Sequence, residues 1–146
     1  KMTLESYGLT IDSFVWPYGE YNQELIGLTQ TLGNPAPLYK STRTVEVGDN
    51  AYGSNPYLLK VLEIDKPTTL DQVKSWINEL KDDPTCTSAC TGRWGIFLLH
   101  DITTTPGEYD TTPEFLQAVA DEVKKSGLDV VNYRTGYQRF ANVPMP

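Results

Sequence analysis

Short apolar runs without helical period alternate along this chain with longer segments that carry an apolar stripe at helical spacing. That alternation constrains the fold more than any other feature. The runs Leu9–Trp16, Leu38–Val45, Tyr57–Ile64, Trp94–His100 and Leu128–Tyr133 predict strands. Leu25, Leu28 and Leu32 mark a helix over Tyr21–Leu32, with Gly33 placed for a left-handed cap. Leu70, Val73, Ile77 and Leu80 mark a second, opened by Thr69 and Gln72 in capping-box spacing and closed by Asp82-Asp83-Pro84. Phe115, Val119 and Val123 mark a third, with Thr112 as N-cap, Pro113 at the first position, Lys124 and Lys125 in the last turn and Gly127 beyond. A last helical turn is expected near Gly136–Ala141. The fold class this predicts is α/β, built of parallel βα units. Gly95-Ile96-Phe97-Leu98-Leu99-His100 is apolar almost throughout, as suits a central strand covered on both faces.

The length, 146 residues, suits one domain, residues 1–146. No internal repeat or low-complexity tract divides it, and Gly48–Pro56 is expected to be a loop. With 12 Lys+Arg against 19 Asp+Glu the net charge is -7, so nucleic acid and anionic lipid are not expected partners. No stretch approaches the roughly 18–20 apolar residues of a membrane span, and Lys1–Glu5 lacks the apolar core of a signal peptide, so export would require a signal already removed or one that was never part of this piece. One histidine and two cysteines cannot by themselves build a multi-histidine or four-thiolate metal site. Cys86 and Cys90 lie in a polar run between Pro84 and Gly92 that admits either a small-loop disulfide or two free thiols. Nine tyrosines, many threonines and few lysines resemble the composition of an extracytoplasmic carbohydrate-active protein.

In parallel α/β folds, functional groups gather where strands end at their carboxyl side. Two places qualify. Trp16-Pro17-Tyr18-Gly19-Glu20 follows the first strand, where Pro and Gly can turn backbone N–H groups inward. His100-Asp101 follows the most apolar strand, and an imidazole there suits proton transfer.

These segments in this order resemble the second half of the polysaccharide deacetylase family, which includes chitin, peptidoglycan and chitooligosaccharide deacetylases. Phe14-Val15-Trp16-Pro17-Tyr18-Gly19-Glu20-Tyr21-Asn22 is similar to the family's aromatic-Pro-Tyr-Gly loop. Asn55-Pro56-Tyr57-Leu58-Leu59, with Glu63-Ile64, and Thr69–Trp76 follow in step. Trp94-Gly95-Ile96-Phe97-Leu98-Leu99-His100-Asp101-Ile102 is similar to the last catalytic motif, and Phe115–Lys125 with Gly127–Val131 to the closing helix and strand. The resemblance covers nearly all of this chain but only the C-terminal part of the family's domain, so it implies part of a distorted (β/α) barrel.

What the resemblance implies for the site is a division of roles. His100 would be the general acid that protonates the leaving amine, and the Tyr18 N–H would donate to the oxyanion. Leu98 would line the acetyl pocket, Pro17, Gly19 and Asp101 would border the substrate, and Trp16 and Trp94 would offer ring faces to a sugar. Val15 stands where the family commonly has an arginine, and Val61 where another commonly follows the Tyr-Leu-Leu strand. The Asp pair and two histidines that supply base and metal in the complete family have no counterpart; Asp82-Asp83 falls at a helix end. The expectation is therefore no metal held by this chain, and zinc or another divalent metal in the complete domain. Two functions follow. In the first, the resemblance implies that the chain would be the C-terminal portion of a polysaccharide N-deacetylase, inactive alone and secreted or at the cell surface. It would act on an acetylated polysaccharide with an N-terminal companion segment or a second copy. Alternatively, it is a non-catalytic carbohydrate-binding or assembly module of the same fold.

Overall fold

A computed structural model describes residues 1–33, 36–51, 53–81 and 92–140. Four strands form one sheet: β1 (Ser13–Val15), β2 (Ser41–Val47), β3 (Leu59–Ile64) and β4 (Phe97–Leu99). Their order in the sheet is their order in the chain, and every neighbouring pair is parallel. A sheet wound in one direction without an order reversal curls as a barrel wall does, and the molecule is an α/β partial barrel of parallel βα units.

The crossovers are covered in different ways. Helix α2 (Gln23–Thr31) joins β1 to β2, α3 (Leu70–Lys81) joins β3 to β4, and α4 (Pro113–Ser126) follows β4. Between β2 and β3 the described residues form a loop instead of a helix. It is clasped by Asn50, whose buried side chain donates to Lys60 O (3.0 Å) and Trp94 O (3.1 Å) and accepts from Lys60 N–H (2.9 Å). A short helix, α1 (Met2–Glu5), precedes the sheet, and α5 (Tyr133–Phe140) closes the described chain.

The core lies between the sheet and helices α3 and α4. Ile64, Val73, Ile77 and Val119 form its centre, with Phe97, Leu99, Phe115, Val123 and Leu128 against it. Because strand side chains alternate, Ile64, Phe97 and Leu99 face the helices while Glu63 and Leu98 face the other way. The capping chemistry matches the sequence closely. Thr112 Oγ1 accepts from Phe115 N–H, Thr69 Oγ1 accepts from Gln72 N–H, and Gly127 ends α4 at φ 78°.

Four expectations need correction. The stripe Leu25, Leu28, Leu32 is not the buried face of α2: these side chains are 42%, 40% and 63% exposed, while Ile26 and Thr29 are buried. Helical spacing fixes which residues share a face, and the partner that covers a face is chosen by tertiary packing. Gly33 is not in the left-handed region; it is tight because a Cβ would stand 2.5 Å from Ala36 O and 2.6 Å from Leu38 N. The run Leu128–Tyr133 forms no strand. Leu128 packs into the helix-side core, and Asn132 Oδ1 accepts from Thr135 N–H, drawing the chain into α5. The run Trp94–His100 is strand only at Phe97–Leu99, with Trp94 paired to Asn50 in an isolated antiparallel bridge. Asp82-Asp83-Pro84, Cys86, Cys90 and Ala141 lie outside the described residues.

Candidate functional site

Parallel order puts the carboxyl ends of all four strands at one end of the sheet, and two of the groups singled out from sequence stand there. His100 directly follows β4. Its Nε2 is 3.2 Å from Oε1 of Glu63, near the end of β3, and its ring centroid is 5.6 Å from that of Tyr109. Glu63 is the register partner of Leu98, so carboxylate, Leu98 and imidazole lie on the face turned away from the helices. With Nε2 turned to Glu63, Nδ1 is the ring nitrogen left for another partner. Asp101 spends its carboxylate locally, Oδ1 accepting from Ile102 N–H at 2.8 Å.

The second group follows β1. Pro17–Gly19 form one 3-10 turn with Tyr18 in the left-handed region, φ 56° and ψ 14°. A non-glycine residue held there is strained by about 1 kcal/mol. The turn is fastened from below: a Cβ on Gly19, itself at φ 72°, would stand 2.3 Å from Cγ2 of Val45 on β2. Gly19 N–H donates to Trp16 O and Glu20 N–H to Pro17 O, at 3.0 and 3.1 Å. The Tyr18 phenol is 96% exposed. The two groups do not touch: β1 and β4 are opposite edges of the sheet, with β2 and β3 between them.

The two tryptophans assigned to sugar contact stand elsewhere. Trp16 is only 4% exposed; its indole N–H donates to Thr42 Oγ1 at 2.9 Å, and its ring packs on Phe14 and Tyr21. It belongs to the layer over the sheet and offers no open face. Trp94 precedes β4, at the amino end, packed on Tyr133 and Phe140 and against Gly136.

Three residues not singled out from sequence enter the site. Glu63 was legible only within the Glu63-Ile64 match. Trp76 was legible only as the end of the Thr69–Trp76 segment, yet it lines a cavity of about 270 Å³ with Val47, Glu63, Asp65, Thr68 and Gln72 at the carboxyl ends of β2 and β3. Arg43 is the direct register partner of Val15, the position where the resembled family commonly has an arginine. It is half-buried on the face it shares with Leu59, and burial lowers its pKa although Tyr133 and Glu63 nearby favour the charge.

Among the described residues no three His, Cys, Asp or Glu side chains converge as a metal site. These residues thus do not fit the divalent metal of the resembled family, and no step below runs through one. No described helix is long and apolar enough to cross a membrane. Compared with protein-family models, with curated proteins and with solved structures, the chain has no match.

Proposed function

We propose that this chain is the C-terminal portion of a polysaccharide N-deacetylase, contributing the proton-donating side of the site and requiring an N-terminal companion for the rest. The observation that carries this is the His100–Glu63 pair at the mouth of a parallel sheet. A carboxylate bonded to Nε2 fixes the orientation of the ring and leaves Nδ1 turned outward, the geometry a general acid needs. Nδ1 of His100 then delivers its proton to the departing amine as the carbon–nitrogen bond of the tetrahedral intermediate breaks. Leu98, on the same face, borders the acetyl methyl. The Tyr18 N–H, held in its left-handed turn by Gly19 against Val45, donates to the oxyanion once the companion brings the substrate across the sheet. The glycan and the chain would meet outside the cell or at its surface.

A second reading is favoured by the Trp76 cavity. An aromatic ring beside two carboxylates, Glu63 and Asp65, is a combination that binds sugars without chemistry. In that reading the chain is a glycan-binding module.

The test uses the native protein with whatever polypeptides accompany it, assayed for acetate release from N-acetylglucosamine oligomers alongside the His100→Asn variant. Release that His100→Asn abolishes while oligomer binding persists supports the deacetylase. Oligomer binding without acetate release supports the module, and neither binding nor release removes both.

A further inference from the structure

A separate cavity lies at the opposite, amino end of the sheet, where β1 and β2 begin beneath α5. Its volume is about 170 Å³, and its lining includes Asp12, Ser13, Ser41, Tyr133, Tyr137 and Gln138, with Ile11 and Arg134 beside them. Nothing in the His100 site accounts for it. At ~30 Å³ per water it holds about six waters, roughly the space of one six-membered ring.

The charges inside are already matched to one another. Asp12 Oδ2 lies 3.1 Å from Arg134 Nε, and Asp12 Oδ1 lies 3.6 Å from Lys40 Nζ. Arg134 Nη2 also donates to Thr10 O at 2.8 Å. An anion would have to displace Asp12 from both cations, and a cation would meet Lys40 and Arg134. What remains to be offered is neutral hydrogen bonding beside apolar surface. The Tyr133 and Ser41 hydroxyls face each other at 3.1 Å, and the Tyr137 phenol and Gln138 amide stand near them. The burial that raises the pKa of both Tyr133 and Tyr137 keeps these phenols as neutral donors. Two tyrosine rings and Ile11 supply the apolar wall that the C–H face of a sugar requires.

We infer that this cavity is a binding site for a neutral polyhydroxylated ring of monosaccharide size, independent of the His100 site. The probe is D-glucose, with inorganic phosphate as the competing arm, followed by amide chemical shifts of the isotope-labelled chain. The expected result is saturable movement of the Ser13, Ser41, Arg134 and Gln138 amides with glucose at a Kd of about 1–10 mM, and none with phosphate. Tyr137→Phe should weaken binding about fivefold. Ser13→Leu, which fills the cavity, should abolish it; if that variant does not fold, Gln138→Ala should weaken binding instead. Shifts that never saturate, shifts with phosphate alone, glucose shifts confined to Gly19 and His100, or unchanged binding in a folded Ser13→Leu protein would each overturn the inference. Since no residue is shared with the His100 site, loss of acetate release in His100→Asn leaves this outcome untouched.

Discussion

Nε2 of His100 sits 3.2 Å from Oε1 of Glu63, joining the carboxyl ends of two adjacent parallel strands. If this pair performs the proton transfer proposed for it, His100→Ala in the complete assembly lowers kcat by about 10² to 10⁴ with KM nearly unchanged. Glu63→Gln keeps the length and loses the charge, and should lower kcat by less. Steady-state acetate release decides it; equal rates in all three proteins remove the pair from the mechanism.

The Tyr18 turn depends on a glycine for two reasons at once. Gly19→Ala puts a methyl group at φ 72° and 2.3 Å from Val45 Cγ2, and should cost about 1–3 kcal/mol of stability. Adding Val45→Ala removes the collision and leaves the backbone strain, so the double variant should regain part of the loss. Urea midpoints of the four proteins in this cycle measure both parts.

On α2 the structure reverses the order of importance that helical spacing suggests. Ile26→Ala should cost about 2–4 kcal/mol, because Ile26 is only 5% exposed. Leu28→Ala, at a position 40% exposed, should cost less than about 1 kcal/mol. Comparable losses in the two variants would mean that the leucine face is covered in solution.

Asn50 ties the helix-free crossover to both β3 and the segment before β4. Asn50→Ala removes the three side-chain hydrogen bonds to Lys60 and Trp94 while the Asn50–Trp94 backbone pair persists, at a cost of about 2–4 kcal/mol. Thermal unfolding of Asn50→Ala reads the loss directly, and a change within the error of wild type would refute the clasp.

Tyr133 predicts a pH dependence at the alkaline end. Burial raises its pKa above the ordinary 10.0, outweighing Ser41 and Arg43, which lower it. The folded state therefore holds the phenolic proton after the unfolded chain has lost it. Its contribution is complete below pH 10.0 and declines as pH rises through the elevated folded value. Tyr133→Phe, having no proton to lose, should unfold with a flatter stability profile above pH 10.0 than the wild type.

Local chemistry carried much of the fold into the sequence. Thr112, Pro113 and Gly127 bound α4 because capping, a preset φ and a left-handed exit act over three or four residues and need no partner. Four of the five aperiodic apolar runs overlap the strands of the parallel sheet, and the fifth, Leu128–Tyr133, does not. His100 was legible as a histidine where the most apolar run ends. Glu63 was visible only within the Glu63-Ile64 match, and its pairing was not, because that comes from a neighbour 37 positions away.

The sequence by itself determined the α/β class, the parallel pairing, the N-caps of α3 and α4 with the glycine exit of α4, and the two loops at the strand ends, all consequences of dihedral preference and side-chain period. Only the tertiary structure decided which face of α2 is covered, that residues 128–132 leave the sheet for α5, that Trp16 is buried, and that His100 meets Glu63. Each of these turns on which surfaces meet across long stretches of chain. Short-range patterning restricts that choice, and the packing of the whole molecule makes it.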